Sequence, residues 1–198
     1  MKTMDTEIKL KPGHLEIIGE TIAKFELFEH GWNPYSRFLD IDKVDLILRK
    51  RINFKVFYRE IQVKYGKLHK CNQPWEKDIF DYTSWRQFSK DEFKSEIYSD
   101  DFFVIFILAF ETGYDKDMFI FPKKVFNDLI DNAISINTKS KQDRKLYISR
   151  QINTKKWYVR KNGCGSKNHD LKQNCTEVTE YYRNFTLLSD NNLKNKEL

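Results

Sequence analysis

The sequence has little cysteine and no long hydrophobic run. It contains three cysteines in 198 residues, and so small and odd a number is too few for a disulfide framework, so we expect free thiols. The longest apolar run, residues 102–110, is well short of the roughly 18 residues that a membrane helix needs. The N-terminal stretch MKTMDTEIKLKPG lacks the apolar core of a signal peptide. These absences predict a cytoplasmic protein without a membrane segment.

The familiar catalytic motifs are also missing. There is no glycine-rich phosphate loop and no G-x-S-x-G elbow, and the four histidines share no catalytic spacing. A zinc site built from Cys164, His169 and Cys175 stays open as an alternative. Their C-x4-H-x5-C spacing lacks the close cysteine pair typical of structural zinc, which disfavours it.

The composition suits one globular domain with a basic surface. Hydrophobic residues make up 40% of the chain and aromatic residues 15%, which is enough for a substantial core. A net charge of +6 favours partners that carry phosphate, although an ordinary solvated surface explains it equally well. We expect a main domain over residues 1–162, with an insertion at about 65–100, and a C-terminal extension over 163–198.

The order of predicted elements indicates an α/β fold. Apolar residues at three- and four-residue spacing predict a first helix over 14–30, ended by Gly31. The run 102–110 reads as a strand buried on both faces, and a second helix is predicted over 122–132. Short strands are expected at 35–39, 119–121, 145–149 and 156–160.

One charged residue interrupts an apolar strand. Asp45 lies in the run 44–48, where a carboxylate is costly unless it is paired or bound to metal. The next strand-like run ends with Glu60, Gln62 and Lys64, which point to one face because strand side chains alternate. An antiparallel hairpin would bring Asp45 beside them. Carboxylates hold hard divalent cations, and a lysine orients water or phosphate.

The order helix, strand, Asp-bearing strand and Q-x-K-bearing strand resembles the PD-(D/E)xK nuclease superfamily, over about residues 15–126. This superfamily includes restriction enzymes and archaeal Holliday-junction resolvases. Asp45 matches its first acid. The tripeptide Gln62-Val63-Lys64 matches its (D/E)xK motif, with glutamine where an acid is usual, and Glu60 could supply the missing carboxylate.

The resemblance implies a restriction-endonuclease-like core, an α/β fold with a mixed central β-sheet of four to five strands flanked by α-helices. It implies Mg²⁺-dependent hydrolysis of DNA phosphodiester bonds, with Mn²⁺ as a substitute metal. The candidate catalytic residues are Asp45, Glu60, Gln62, Lys64 and Glu20, and the candidate metal ligands are Asp45, Glu60, Gln62 and the main-chain oxygen of Ile61.

Several of these assignments compete with simpler interpretations. Glu20 and Lys24 are spaced for an ordinary i, i+4 salt bridge, and turn acids such as Asp40 and Asp42 usually cap or solvate. Aromatic residues among cations in the insertion could stack on bases, or they could lie on short helices that cover the core. The candidate DNA-contacting residues are Arg51, Lys67, Lys70 and Arg86.

Within the resemblance, a sequence-specific type II restriction-like enzyme is favoured. A structure-specific resolvase or repair nuclease is the first alternative, and an inactive nucleic-acid-binding module of the same fold is the second. A protein-interaction domain is the third. The resemblance also implies a homodimer, since many enzymes of this superfamily act as symmetric dimers on the two antiparallel strands of duplex DNA.

Overall fold

The computed structural model describes residues 11–36, 43–99, 101–138, 141–167 and 170–190. Asp40, Asp42 and His169 lie outside these residues. The elements in chain order are α1 (Pro12–Glu29), β1 (Asn33–Ser36), β2 (Leu46–Ile52), β3 (Lys55–Lys67), β4 (His69–Lys70), α2 (Pro74–Lys77), β5 (Phe80–Ser89), β6 (Phe102–Phe110), β7 (Gly113–Pro122), α3 (Lys123–Asn132), β8 (Ile134–Thr138), β9 (Lys141–Gln151), β10 (Trp157–Arg160), α4 (Leu171–Asn174), β11 (Cys175–Glu177), a 3-10 turn (Thr179–Tyr181) and α5 (Leu187–Asp190).

The strands form two sheets. The first has the order β1-β2-β3-β6-β7, and because β3 and β6 run parallel while the other pairs are antiparallel, it is a mixed five-stranded sheet. Helix α1 packs on one face of it, and α3 contacts its other side. The predicted mixed sheet flanked by helices is therefore confirmed. A second, six-stranded antiparallel sheet has the order β11-β10-β9-β5-β4, with β8 on β9. The sequence predicted strands within β9 and at β10 but did not predict that they form a second sheet.

Helix α1 confirms the first predicted helix. Proline at its first position needs no N–H partner there, and Gly31 adopts a left-handed φ of 77° just beyond the helix. Its buried side, with Ala23 and Leu27, joins the apolar cluster that contains Ile61 and Ile105. Among the described residues, no helix is long and apolar enough to cross a membrane.

Strand β6 has the predicted bounds and lies at the centre of the core. Its alternate side chains divide between two clusters: Ile105 and Ile107 face α1, whereas Val104, Phe106 and Leu108 face the second sheet and α3. Burial on both faces explains why this strand is a continuous hydrophobic run instead of an alternating one.

The predicted short helices in 65–100 are wrong for most of that segment. Residues Phe80–Ser89 form β5, which pairs with β9 along its length, and only Pro74–Lys77 is helical. From Tyr82 to Ser89 the register with β9 is continuous, but the polar Ser84 and Arg86 lie between Tyr82 and Phe88 on one face, so no apolar alternation indicated a strand. The core-covering role is confirmed for Phe88, which lies in the main apolar cluster.

Strands β3 and β5 approach closely at Gly66. A Cβ atom there would lie 2.6 Å from the Ser84 hydroxyl oxygen, so only glycine fits without a shift. This contact joins the two sheets beside the predicted catalytic strand. The predicted boundary after residue 162 stays a prediction; β11 pairs with β10, and Leu188 is buried in the α1 cluster.

Candidate active site

The site begins where β2 and β3 separate. The Asp45 N–H donates to the Ile61 carbonyl at 2.9 Å, and the strand pairing starts at the next residue. Two residues further along β3, the Val63 N–H donates to Asp45 Oδ2 at 2.6 Å. The carboxylate thus replaces the main-chain carbonyl that would accept this bond if the two strands stayed paired. A buried N–H needs an acceptor, so this bond fixes the carboxylate at the end of the hairpin.

Gln62 fixes the same carboxylate from the side. Its Nε2 lies 3.3 Å from Asp45 Oδ1 and 3.1 Å from Oδ2, so the amide nitrogen faces both oxygens. Its Oε1 is buried and has no hydrogen-bond partner among the described residues. A buried acceptor without a donor is unfavourable unless a water or a cation satisfies it.

These side chains line a cavity of about 340 Å³. It lies between the start of α1, the segment before β2, the middle of β3 and the turn after β5. The lining residues are Glu16, Glu20, Lys43, Asp45, Gln62, Val63, Lys64 and Glu92.

Lys64 is the most buried cation of this cavity. Its Nζ lies 3.9 Å from Glu92 Oε1 and 5.9 Å from the centre of the Phe93 ring. Burial lowers the pKa of Lys64 below its usual range, and the negative charges of Glu92 and Asp45 oppose that effect only in part. The site therefore contains an ammonium group whose charged form is disfavoured by its surroundings.

Glu92 holds Lys64 and a second cation. Its Oε1 lies 3.8 Å from Lys43 Nζ, and its Oε2 accepts a hydrogen bond from the Ser89 N–H at 3.3 Å. The sequence interpretation missed Glu92 and Lys43, and it placed Glu16 on the same helix face as Glu20 without assigning it to the site. No local pattern marks them, because tertiary contacts alone bring the turn after β5 and the first turns of α1 to the cavity.

Two α1 acids border the cavity. Glu20 is a lining residue and its Oε2 also lies 3.9 Å from Lys24 Nζ, so the predicted i, i+4 pair and a position at the site are both observed. Glu16 Oε1 lies 3.8 Å from Arg86 Nη2, while Arg86 Nη1 donates to the Tyr65 carbonyl at 3.0 Å. Arg86 thus joins α1 to β3 beside the cavity.

The other predicted ligands lie outside the cavity lining. Glu60 Oε2 accepts a hydrogen bond from the Ser99 hydroxyl at 3.1 Å, and the Ile61 carbonyl accepts from the Asp45 N–H. Their proposed metal roles stay predictions.

The predicted DNA-contacting residues are spread over the molecule. Arg51 is exposed near the opposite end of the β2–β3 hairpin, where it pairs in register with Val56. Lys67 and Lys70 are exposed on the chain that leaves the catalytic strand. Arg86 contacts Glu16, a residue that lines the cavity.

The oxygen ligands suit part of a magnesium site. Among the described residues, no group of three His, Cys, Asp or Glu side chains could hold a metal ion. Mg²⁺ commonly uses one or two carboxylates, several waters and the phosphates of its substrate. Asp45 provides a hard carboxylate of that kind, and Gln62 Oε1, which has no hydrogen-bond partner in the described part of the chain, provides a neutral oxygen.

The three cysteines lie together in a separate small apolar cluster around Phe80. All three are free thiols, as predicted. Burial and the nearby Glu76 raise the pKa of Cys71 to about 11, so its thiol stays protonated. The suggested zinc site depends on His169, which is outside the described residues.

No family model matches the chain, and no curated protein matches it. Among solved structures, the chain is similar to a bacterial homing endonuclease, I-Ssp6803I, with a TM-score of 0.38 and 16% sequence identity. The similarity covers 60% of this chain and 74% of the endonuclease. Values this low do not establish a shared function, so the function is inferred from the geometry of the cavity.

Proposed function

We propose that the cavity is the active site of a metal-dependent DNA endonuclease of the PD-(D/E)xK type. The observation that carries this proposal is the fixed Asp45 carboxylate, which faces Gln62 and lies in the same cavity as the buried Lys64. An acid at the point where two strands separate, followed by Q-x-K on the neighbouring strand, supplies an oxygen ligand set and a cation in one place.

Asp45 would hold Mg²⁺, the Gln62 oxygen would join it after rotation of the amide turns Oε1 toward Asp45, and Glu20, which lines the cavity, is the α1 candidate for a further carboxylate. When bound, the ion would polarise the phosphate and lower the pKa of a coordinated water. The Val63 N–H keeps the Asp45 carboxylate in position, so the position of this carboxylate does not depend on the metal.

Lys64 would act on the substrate directly. Its ammonium group can orient the attacking water and stabilise the negative charge that grows on the phosphate. Its lowered pKa brings it closer to the range in which it can exchange a proton with water. Glu92 is a positioning residue in this scheme, because its carboxylate lies 3.9 Å from the Lys64 ammonium group.

Duplex DNA is the proposed substrate, and a sequence-specific restriction-like activity is favoured over junction resolution. The chain has a formal charge of +6, and Arg86 together with Lys67, Lys70 and Arg51 supplies cations for phosphate contacts. A homodimer would place one cavity at each of the two antiparallel DNA strands.

A DNA-binding module without catalysis is the second candidate. Two observations favour it: Gln62 is neutral where an acid is usual, and the described residues lack a cluster of three acidic or imidazole ligands. This candidate predicts DNA binding that neither needs magnesium nor leads to cleavage.

Cleavage of long mixed-sequence DNA and of a four-way junction, with Mg²⁺ and then Mn²⁺, separates these functions. Asp45→Asn and Lys64→Met test the cavity, and Asp128→Asn replaces an exposed carboxylate on α3 as the matched control. Discrete fragments that only the two cavity variants lose would support a sequence-specific nuclease. Junction cutting alone would select the resolvase, and binding without cleavage would select the inactive module.

A further inference from the structure

The β2–β3 hairpin extends beyond the sheet that carries the site. Strand β3 pairs with β6 only from Glu60 onward, and β1 reaches along β2 only as far as Arg49. Residues 50–57 therefore form a two-stranded ribbon with no third strand among the described residues. We call this segment the hairpin arm.

The tip of the hairpin arm holds a bulky, exposed residue in a backbone conformation that favours glycine. Asn53 and Phe54 connect the strands with φ angles of 48° and 66°, as in the type I′ turns that favour glycine at the second position. A left-handed conformation is unfavourable for a bulky side chain. Phe54 is also 99% exposed, so it gains nothing from packing. Stability therefore does not explain a phenylalanine at this position.

The part of the hairpin that precedes Glu60 has charge of one sign only. Residues 46–59 contain five basic residues and no acid; the basic residues are Arg49, Lys50, Arg51, Lys55 and Arg59. Arg59 is paired with Asp101 at 3.0 Å, and the Lys50 ammonium donates to the His30 carbonyl. Arg51 and Lys55 are exposed beside the tip. This charge distribution fits an anionic partner.

We propose that the hairpin arm is a DNA-distorting element, in which Phe54 inserts between stacked bases while Arg51 and Lys55 contact the flanking phosphates. Apolar wedges of this kind unstack a base step and kink the duplex. The inference takes its ligand, duplex DNA, from the proposed function, but it does not require that the protein cut DNA.

The chain between Phe54 and Gln62 sets the distance from the tip of the hairpin arm to the cavity. Gln62 lies eight positions after Phe54 in the sequence, a length of about 26 Å at the rise of a β-strand. About eight base pairs of duplex span that distance. The distorted step should therefore lie within about one helical turn of the phosphate at the cavity.

Permanganate reactivity of thymines in bound duplex DNA tests the wedge, because permanganate attacks unstacked thymines. The Asp45→Asn protein serves as the parent, so the DNA stays intact. We expect reactive thymines in the complex, and we expect Phe54→Gly in that parent to abolish them and weaken binding about tenfold. Phe54→Gly should also raise the melting temperature, because glycine suits the positive φ.

Phe25→Ala is the matched control, since Phe25 is another exposed phenylalanine, on α1, at 63% exposure. It should leave reactivity and affinity unchanged. The proposal is overturned if Phe54→Gly keeps the parent's reactivity and affinity, or if Phe25→Ala loses as much. It is also overturned if Phe54→Gly changes only the oligomeric state, which would assign the tip to a protein interface.

The cations of the hairpin arm have a separate test. Because neutralised phosphates release counterions, Arg51→Gln with Lys55→Gln should reduce the slope of log affinity against log salt by about two. Lys124→Gln, on the exposed side of α3, should not change the slope. An unchanged slope in the double variant would remove the arm from the DNA contact. Phe54-dependent unstacking by a wild type that never cleaves DNA would support the arm and refute the nuclease.

Discussion

Two carboxylates, the buried Glu26 and the half-buried Asp45, lie in clusters whose polar atoms are satisfied to different extents. Glu26 on α1 receives Arg183 through two nitrogens, at 3.2 and 3.0 Å, and the Tyr114 hydroxyl at 3.0 Å. Burial by itself raises the pKa of Glu26, but these donors outweigh burial and hold its pKa below the ordinary 4.5. This cluster ties α1 to the C-terminal segment.

In the cluster around Asp45, by contrast, the described residues do not satisfy every buried polar atom. The chain supplies Asp45 with the Val63 N–H and the Gln62 amide, but the buried Gln62 Oε1 has no hydrogen-bond partner among the described residues. The neighbouring Lys64 has a lowered pKa because it is buried. Complete pairing at Glu26 stabilises the fold, whereas incomplete pairing around a cavity prepares a site for a ligand.

Removing the Asp45 charge should have the largest effect. Asp45→Asn should reduce cleavage by roughly 10³-fold or more, because the charged metal ligand is lost. The asparagine oxygen can still accept from the Val63 N–H, so the melting temperature should change little. Single-turnover cleavage rates and thermal unfolding measure the two quantities. Equal activity of variant and wild type would contradict a role for this carboxylate.

Glu26→Gln should have the largest effect on stability. It leaves the Arg183 guanidinium without its charged partner, at a cost of about 3 kcal/mol in the free energy of unfolding. Because the folded pKa of Glu26 is lowered, its contribution is present above pH 4.5 and is lost as pH falls through the folded pKa. Urea unfolding at several pH values should show this dependence in the wild type only.

The control for that prediction is Glu29→Gln, which changes an exposed glutamate on the same helix. It should alter the free energy of unfolding by less than about 0.5 kcal/mol. Similar losses for both variants would indicate a general effect of helix charge and would remove the distinction between the two carboxylate clusters.

Gln62→Glu should make the cavity more like an ordinary metal site. A second carboxylate beside Asp45 should tighten Mn²⁺ binding by about tenfold, and without metal the repulsion should lower the melting temperature. Titration calorimetry and thermal unfolding with and without Mn²⁺ would measure both effects. Unchanged Mn²⁺ affinity would argue that Gln62 is not a ligand.

Glu92→Gln should have the smallest effect, a loss of a few-fold in cleavage rate. Removing the negative charge that opposes burial lowers the pKa of Lys64 further. If the ammonium form is required, activity falls as pH rises through that pKa, so the variant should lose activity at lower pH than the wild type. A pH–rate profile with the same basic limb in both proteins would contradict the role of Glu92.

Local sequence patterns predicted elements of the first sheet and helix α1, but they did not predict the second sheet. Helix α1, strand β6 and the Asp45–Gln62–Lys64 hairpin follow from periodicity and from one charge inside an apolar strand, because each feature is set within a few residues. Two strands of the second sheet were predicted, at 145–149 in β9 and 156–160 at β10, but the sheet itself was missed because β5 was not recognised as a strand and its partner β9 lies about 60 residues further along the chain. Glu92 was missed for the same reason, since only tertiary contacts bring it to Lys64.

Iron-directed cleavage of the polypeptide would locate the metal most directly. Fe²⁺ bound in place of Mg²⁺, with ascorbate and peroxide, generates radicals that cut the backbone close to the ion. The predicted result is cuts within a few residues of Asp45 and Gln62, suppressed by excess Mg²⁺ and lost in Asp45→Asn. No cuts there, or cuts that persist in Asp45→Asn, would contradict a metal-dependent active site in this cavity.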